Sequence, residues 1–415
     1  MTAKNNIPAG YKDSAVGIIP QEWEVKRLVD LCQNTGDYGI NAPAVPYRED
    51  LPTYLRITDI DGWGKFIETD KVSVDNPNSS QFILREGDIV FARTGATVGK
   101  TYLYDSKDGQ LVFAGFLIRF TPNSNKAIPY YIKASTETAS YWNWVRIISQ
   151  RSGQPGINSV EYGAMKLAVP PKEEQRKIAE ILGVWDEAIE KQSRLIEKLE
   201  LRKRTLMQRL LTGRTRLPGF TTPWQKVKLG EICKEFVLRN TEDNDYIVLS
   251  CTKYNGLVSS LDYFGKQIFS DNLRTYKVVP KYHFAYATNH IEEGSIGYQG
   301  SYDYALISPM YTVFKADDTK VDNYFLYTLL KTPLMIYNYQ SRIEGSIDRR
   351  GGLRWDAFAG ITIELPYLPE QKAIAEVLTT ADNEIATHRK KLDALRLQKR
   401  GLMQQLLTGK TRVKI

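Results

Sequence analysis

Cysteine is scarce in this chain: three residues in 415, Cys32, Cys233 and Cys251, with no CxxC spacing among them. That excludes a disulfide framework and a thiolate zinc site, fits a reducing compartment, and leaves each thiol the role of a small buried hydrophobe. Histidine is equally rare, and His283, His290 and His388 are not spaced as metal ligands. No run approaches the roughly 18 uncharged apolar residues of a membrane-spanning helix, and MTAKNNIPAGYKDSAVGIIP at the N-terminus lacks the apolar core of a secretory signal. A cytoplasmic protein with no membrane partner is expected.

Enzyme signatures are missing too. The sequence holds no GxGxxG to open a dinucleotide or methyl-donor fold, no GxSxG elbow, and no Asn-Pro-Pro-aromatic stretch to hold an extruded base. The nearest approach to a phosphate-binding loop, Gly95-Ala-Thr-Val-Gly99-Lys100-Thr101, is one residue short, because Thr94 stands where GxxxxGK[ST] requires its first Gly. The following TYLYDSKDG reads as a strand, so no helix N-terminus would meet the phosphates. A Gly-rich turn flanked by Arg93 and Lys100 can instead approach a DNA backbone closely.

The length predicts two to four compact units, and 42% hydrophobic with 25% charged residues is an ordinary globular balance that excludes a disordered or fibrous chain. Lys and Arg number 56 against 48 Asp and Glu, a net charge of +8 that favours polyanionic partners or serves solubility alone. Aromatics at 11%, with 25 Tyr and 7 Trp, are compatible with nucleic-acid contact.

The chain also repeats itself. Residues 174–216 align without a gap on residues 370–412, an offset of 196, and 21 of the 43 positions are identical. Trp23, Leu28 and Cys32 recur upstream as Trp224, Leu229 and Cys233. In the first copy Ile178, Leu182, Trp185, Ile189, Gln192, Ile196, Leu199, Lys203, Leu206 and Leu210 follow a 4,3 spacing, the seam of a coiled coil. The second keeps the register with Ile374, Leu378, Ala381, Ile385, His388, Leu392, Leu395, Lys399, Leu402 and Leu406, its polar positions falling at equivalent places. Pro171 or Pro369 upstream, an acidic first turn, late basic residues and a terminal Gly213 or Gly409 punctuate both helices. From Ile178 to Leu210 such a helix spans about 50 Å.

Ahead of each helix lie short runs rich in β-branched and aromatic residues: Gly87–Arg93, Leu111–Phe120, Tyr246–Cys251 and Tyr311–Ala316. One helical patch is expected in each half, near Pro129–Ile148 and Asp322–Gln340. The fold class is therefore α+β: two tandem pseudo-repeats, each a mixed α/β domain followed by a long helix. The two helices are expected to pair through their seams as a coiled coil, because neither seam can stay in water. Just before each helix sits a polar loop, Arg151-Ser-Gly-Gln154 with Asn158 in the first half and Arg349-Arg350-Gly-Gly-Leu-Arg354 in the second. Arg reads guanine, Asn and Gln read adenine, and Gly lets backbone come close, so these residues with Arg93 and Lys100 are the candidate DNA contacts; exposed turns are the plainer reading of each.

The repeated EQ-x-x-IAE-(I/V)-L, continuing to LMQ-(R/Q)-LLTG-(R/K)-TR, closely resembles the helical regions of specificity (S) subunits of type I restriction-modification enzymes. Gly17-Ile-Ile-Pro-Gln-Glu-Trp23 and Leu217-Pro-Gly-Phe220 to Trp224, which open the two halves, strengthen the resemblance. It implies target recognition domains at 1–171 and 217–367, each followed by a helical spacer, 172–216 and 368–415, the two spacers running antiparallel as one coiled coil. It further implies a non-catalytic subunit that reads a bipartite, asymmetric double-stranded DNA site and docks two methyltransferase subunits and motor-nuclease subunits. S-adenosylmethionine, ATP and Mg are then expected on those partners, with no cofactor or metal on this chain. Poor alignment between the two variable regions implies different half-sites. The alternatives are a structural coiled-coil assembly protein without DNA specificity, which would bind without sequence preference, and an independent nucleotide-using enzyme, which would hydrolyse ATP alone.

Overall fold

The computed structural model describes residues 7–343 and 352–415. The chain folds as two compact units, Met1–Ser193 with Lys390–Ile415, and Arg194–Arg389. Both are mixed α/β. The first long helix, Lys172–Leu210, and the second, Leu368–Leu406, each contribute residues to both units.

In the first unit a four-stranded sheet runs in the order Asp37–Tyr38, Leu117–Phe120, Ile89–Ala92, Thr101–Leu103, antiparallel throughout. An outer sheet orders Leu111–Phe113, Thr53–Leu55, Val72–Ser73 and Val45–Pro46, its first pair parallel. Ile89, Phe91, Ile118 and Phe120 face a core with Leu28, Leu31 and Tyr162, whereas Val90, Ala92 and Leu117 face Leu55, Leu111 and Phe113. Period-two alternation thus loads both faces of one sheet, which is why these strands are apolar almost without interruption.

The second unit has its own sheet in the order Cys233–Glu235, Tyr311–Ala316, His283–Ala287, Ile296–Gln299. Phe284, Tyr286 and Phe314 pack there on Phe358, with ring centroids 4.8 Å apart for Tyr286 and Phe358. In both units a two-stranded ladder leads into a long helix: Glu24–Arg27 pairs with Lys166–Val169, and Gln225–Lys228 with Thr362–Leu365.

Two expectations need correction. Each single helical patch is a pair of helices, Pro129–Ser135 and Ala139–Ile148 in the first unit, Asn323–Leu330 and Pro333–Gln340 in the second. Threonine makes the break: Thr138 accepts from Tyr141 N and Thr332 from Met335 N, each capping a new helix. The apolar run Leu111–Phe120 is two strands in different sheets, separated at Gly115.

The residues shared by the two repeat copies brace each domain against helix. In the first unit, Glu174 is fully buried and accepts from Trp23 Nε1 at 3.0 Å and from Arg412 Nε at 2.6 Å. In the second, Glu370 accepts from Trp224 Nε1 at 3.3 Å and Arg216 Nε at 2.6 Å. Gln175 accepts from Ile128 N and donates to Pro170 O; Gln371 does the same with Asp322 N and Pro366 O. Asp186 receives Tyr130 and Lys399, and Asp382 receives Tyr324 and Lys203. Lys203 and Lys399, two of the four polar interruptions of the seams, are therefore partnered cations with their charge on an aspartate.

Asp186→Ala is expected to cost about 3 kcal/mol, because it strips a half-buried lysine and a tyrosine hydroxyl of their shared acceptor. Urea unfolding of the variant beside Asp382→Ala checks this, since each should weaken its own unit and spare the other. A second expectation concerns pH. Burial holds the His283 imidazole below its ordinary range, with Lys315 adding to that and the Lys281 carbonyl and Asp318 opposing it. A depressed folded pKa means the unfolded state binds the proton first, so stability is full above about pH 6.5 and falls as pH drops below it. His283→Gln should flatten that slope in thermal melts of the second unit.

Candidate nucleic-acid interface

In the first unit the loop Arg93–Lys100 leaves the end of the strand Ile89–Ala92. Its neck is closed by Ala92 N donating to Lys100 O at 2.8 Å and Gly99 N donating to Ala92 O at 3.0 Å. Gly95 and Gly99 stand at φ of +72° and +89°, where a Cβ is strained. The Tyr162 hydroxyl donates to Ala92 O and accepts from Gly99 N, while Tyr141 donates to Gly99 O at 2.6 Å. Burial pushes both hydroxyls well above the ordinary tyrosine range, so they remain neutral donors holding the neck.

Beside this loop lies the segment that precedes the first long helix. Ile157 N donates to Arg93 O at 2.8 Å and Gly95 N to Pro155 O at 3.0 Å, so two loops distant in sequence form one surface. A Cβ on Gly95 would lie 3.0 Å from Gln154 Nε2, which places that exposed amide against the loop. The Arg93 guanidinium covers the Tyr38 ring at 5.0 Å. Arg151 is exposed and pairs with both oxygens of Glu161, at 2.6 and 2.7 Å. Asn158 accepts from Glu161 N and caps the helix Ser159–Gly163. Lys100 points elsewhere, donating through Nζ to Ile60 O at 2.9 Å.

The second unit repeats this junction with different residues. Strand His283–Ala287 leads into a loop whose neck is closed by Ala287 N donating to Ser295 O at 3.0 Å, and Leu353 N donates to Thr288 O at 2.8 Å as Ile157 N does to Arg93 O. Thr288–Ser295 is thus the counterpart of Arg93–Lys100. A Cβ on Gly352 would come within 3.0 Å of Thr288 O, so glycine permits the close approach. Arg354 is exposed and precedes the short helix Trp355–Ala359, the place Asn158 holds in the first unit. Arg349 and Arg350 lie outside the described residues.

The Thr288–Ser295 loop was missed by sequence reasoning because it carries no Gly-rich or basic signature. The signal was the offset: 195 residues relate Phe91-Ala92 to Tyr286-Ala287, nearly the same 196 that relates the helices. Among the described residues, His290, Glu292 and Glu293 place ligand atoms within 4.8 Å of one another, but His290 and Glu293 are exposed and such acidic groups are common without an ion. The three thiols are inert: burial pushes Cys32, Cys233 and Cys251 each up to about 12.

The model of the type I restriction modification DNA specificity domain matches residues 20–201 and again residues 222–397. The chain belongs to that family. Among its relatives, the putative type I restriction enzyme MjaX specificity subunit of Methanocaldococcus jannaschii is 27% identical, with 97% of each chain covered. The MjaVIII specificity subunit of the same organism is 25% identical, covering 95% of this chain and 94% of that one. Two solved structures share the fold. A chain from a study of complex assembly and conformational transition in a type I R-M system superposes with a TM-score of 0.56 at 17% identity, covering 95% of this chain and 99% of that one. The S subunit of the type I restriction-modification system from M. genitalium does so with a TM-score of 0.53 at 14% identity, over 98% of each. No helix among the described residues is long and apolar enough to cross a membrane.

Proposed function

We propose that this chain is the DNA-reading subunit of a type I restriction-modification complex, with one recognition domain at 1–171 and the other at 217–367. The observation that carries this is the family match to both halves, coinciding with a reading junction built twice on the same backbone pattern. Each domain reads half of a split, asymmetric double-stranded DNA site. The first junction presents Arg93, Gln154 and Arg151, the second His290 and Arg354, and such different donor and acceptor sets favour different bases. The helical segments 172–216 and 368–415 pair as an antiparallel coiled coil that spaces the readers. In support, within the first unit Lys399 of the second helix meets Asp186 while Arg412, just beyond that helix, meets Glu174, so the numbering falls along one segment as it rises along the other. Within the second unit Lys203 with Asp382 and Arg216 with Glu370 follow the same rule.

On this reading the chain is non-catalytic and cytoplasmic and binds no cofactor or metal of its own. It docks two methyltransferase subunits and motor-nuclease subunits, which carry S-adenosylmethionine, ATP and Mg. Filter binding at low salt separates this from a structural assembly protein: a reader prefers one duplex sequence, a scaffold shows none. Arg93, Lys100, Arg151, Gln154, Asn158 and Arg354 can be tested one at a time by Ala substitution, with Arg349 and Arg350 beside them. Removing a side chain that holds a phosphate should weaken binding to every sequence and lower the salt slope by about one unit. Removing one that reads a base should cost about 1–3 kcal/mol of discrimination at one position. Unchanged affinity and preference in all eight would refute the assignment.

A further inference from the structure

The outer sheet of the first unit sends out a tight turn, Asp61-Gly-Trp-Gly-Lys65, with Trp63 at its tip. The Asp61 carboxylate accepts from Trp63 N at 2.7 Å and from Lys65 N at 2.8 Å, and Asp61 N donates to Lys65 O at 2.9 Å. Gly64 stands at φ +70°, and a Cβ there would lie 2.5 Å from Thr101 O. Locked this way, the turn presents the indole to the second long helix. The Arg396 guanidinium lies 4.8 Å from the Trp63 ring centroid and the Arg400 guanidinium 5.2 Å, one helical turn apart. Arg396 Nε is buried without a hydrogen-bond partner, and the Trp63 ring supplies its guanidinium with a cation–π contact.

The base of the turn is tied to the candidate reading loop. Lys100, the last residue of that loop, donates to Ile60 O at 2.9 Å, immediately before the turn. A continuous chain of contacts therefore runs from the Arg93–Lys100 loop through Ile60 and Trp63 to Arg396 and Arg400 of the helix. The second unit is built otherwise. The first copy of the helix has Glu200 and Arg204 at the matching positions, Glu200 pairs with Arg389 at 2.5 Å, and Ser295 takes the place of Lys100.

We propose that Trp63 is a positioning residue for DNA recognition, clamping the first reading loop to the second long helix so that this reader cannot shift along the duplex. The clamp sets how strictly one gap length between half-sites is selected, while leaving the bases read unchanged. It rests on the DNA-reading function proposed above.

The test uses the full chain with its methyltransferase partner in cells lacking the chromosomal copy, and maps genomic methylation. Trp63→Ala should keep both half-sites but raise methylation at sites whose gap is one base pair longer or shorter by roughly tenfold, the size expected for losing two cation–π contacts. Trp63→Phe should restore strict spacing in large part. Arg396→Lys with Arg400→Lys keeps the charge, replaces each broad guanidinium by a compact, strongly hydrated ammonium and should behave like Trp63→Ala; it alone decides if the Trp63 variant fails to accumulate. Unchanged gap selectivity, or loss of the first half-site bases, would overturn the proposal. Hydrogen exchange on the free full chain separates the two levels. Residues 61–67 should exchange faster in the double-lysine variant whatever DNA does, and unchanged exchange there refutes the clamp. If the wild-type chain directs no bipartite methylation, it is the DNA-reading function that fails.

Discussion

Replacing residues 1–171 with the matching region of a relative is expected to exchange one half of the methylated sequence completely and leave the other half and the gap intact. Each variable region closes its own sheet and core, Phe91, Phe120 and Tyr162 in one, Phe284, Phe314 and Phe358 in the other, so neither needs the other's residues to form its reading junction. The graft has two structural conditions, one of them an aromatic ring in the place of Trp63 against Arg396 and Arg400, without which the gap would be selected less strictly. Trp23 and Tyr131 pack with Met403, Leu406 and Leu407, and Trp23 donates to Glu174, so the donor must supply a Trp and an apolar partner at those places. Methylation mapping of the chimera checks the outcome; a motif altered in both halves would contradict modular reading.

Inserting four residues after Gln192 should abolish methylation at the original bipartite site. The insertion lengthens a helix by about 6 Å and rotates its C-terminal half by about 40°. It falls between Asp186 and Lys203, whose partners Lys399 and Asp382 stand on a second helix of unchanged length, so continuous helices cannot keep both pairs in place. The two readers should then each retain their bases but lose the register that the proposed helix pairing sets. Binding to single half-site duplexes should therefore persist while the split site fails. Full methylation of the unchanged site would show that the helices are not the ruler.

The helices were legible because their signals are local and periodic. Seam positions such as Ile178, Leu182, Ile374 and Leu378 repeat every three or four residues and are buried in the folded chain. The repeat also marked residues that spacing alone could not interpret. Glu174, Asp186, Lys203 and Arg216 recur in the second copy, but their partners, Arg412, Lys399, Asp382 and Glu370, lie some 150 to 240 positions away in sequence. The reading junction was half legible. A Gly-rich basic turn drew notice to Arg93–Lys100, whereas Thr288–Ser295 occupies the same backbone place with none of that chemistry, because there the geometry is fixed by the neck hydrogen bonds and by Gly352 rather than by loop composition. Lys100 shows the converse: its sequence setting suggests a phosphate contact, and its ammonium instead holds Ile60.

Mapping modified bases across the genome of the source cell, with and without this gene, tests the central claim most directly. A DNA-reading subunit predicts one split, asymmetric motif methylated in its presence and unmethylated after deletion, with every other modified motif untouched. An identical methylation map in both strains, with the methyltransferase partner expressed, would contradict it.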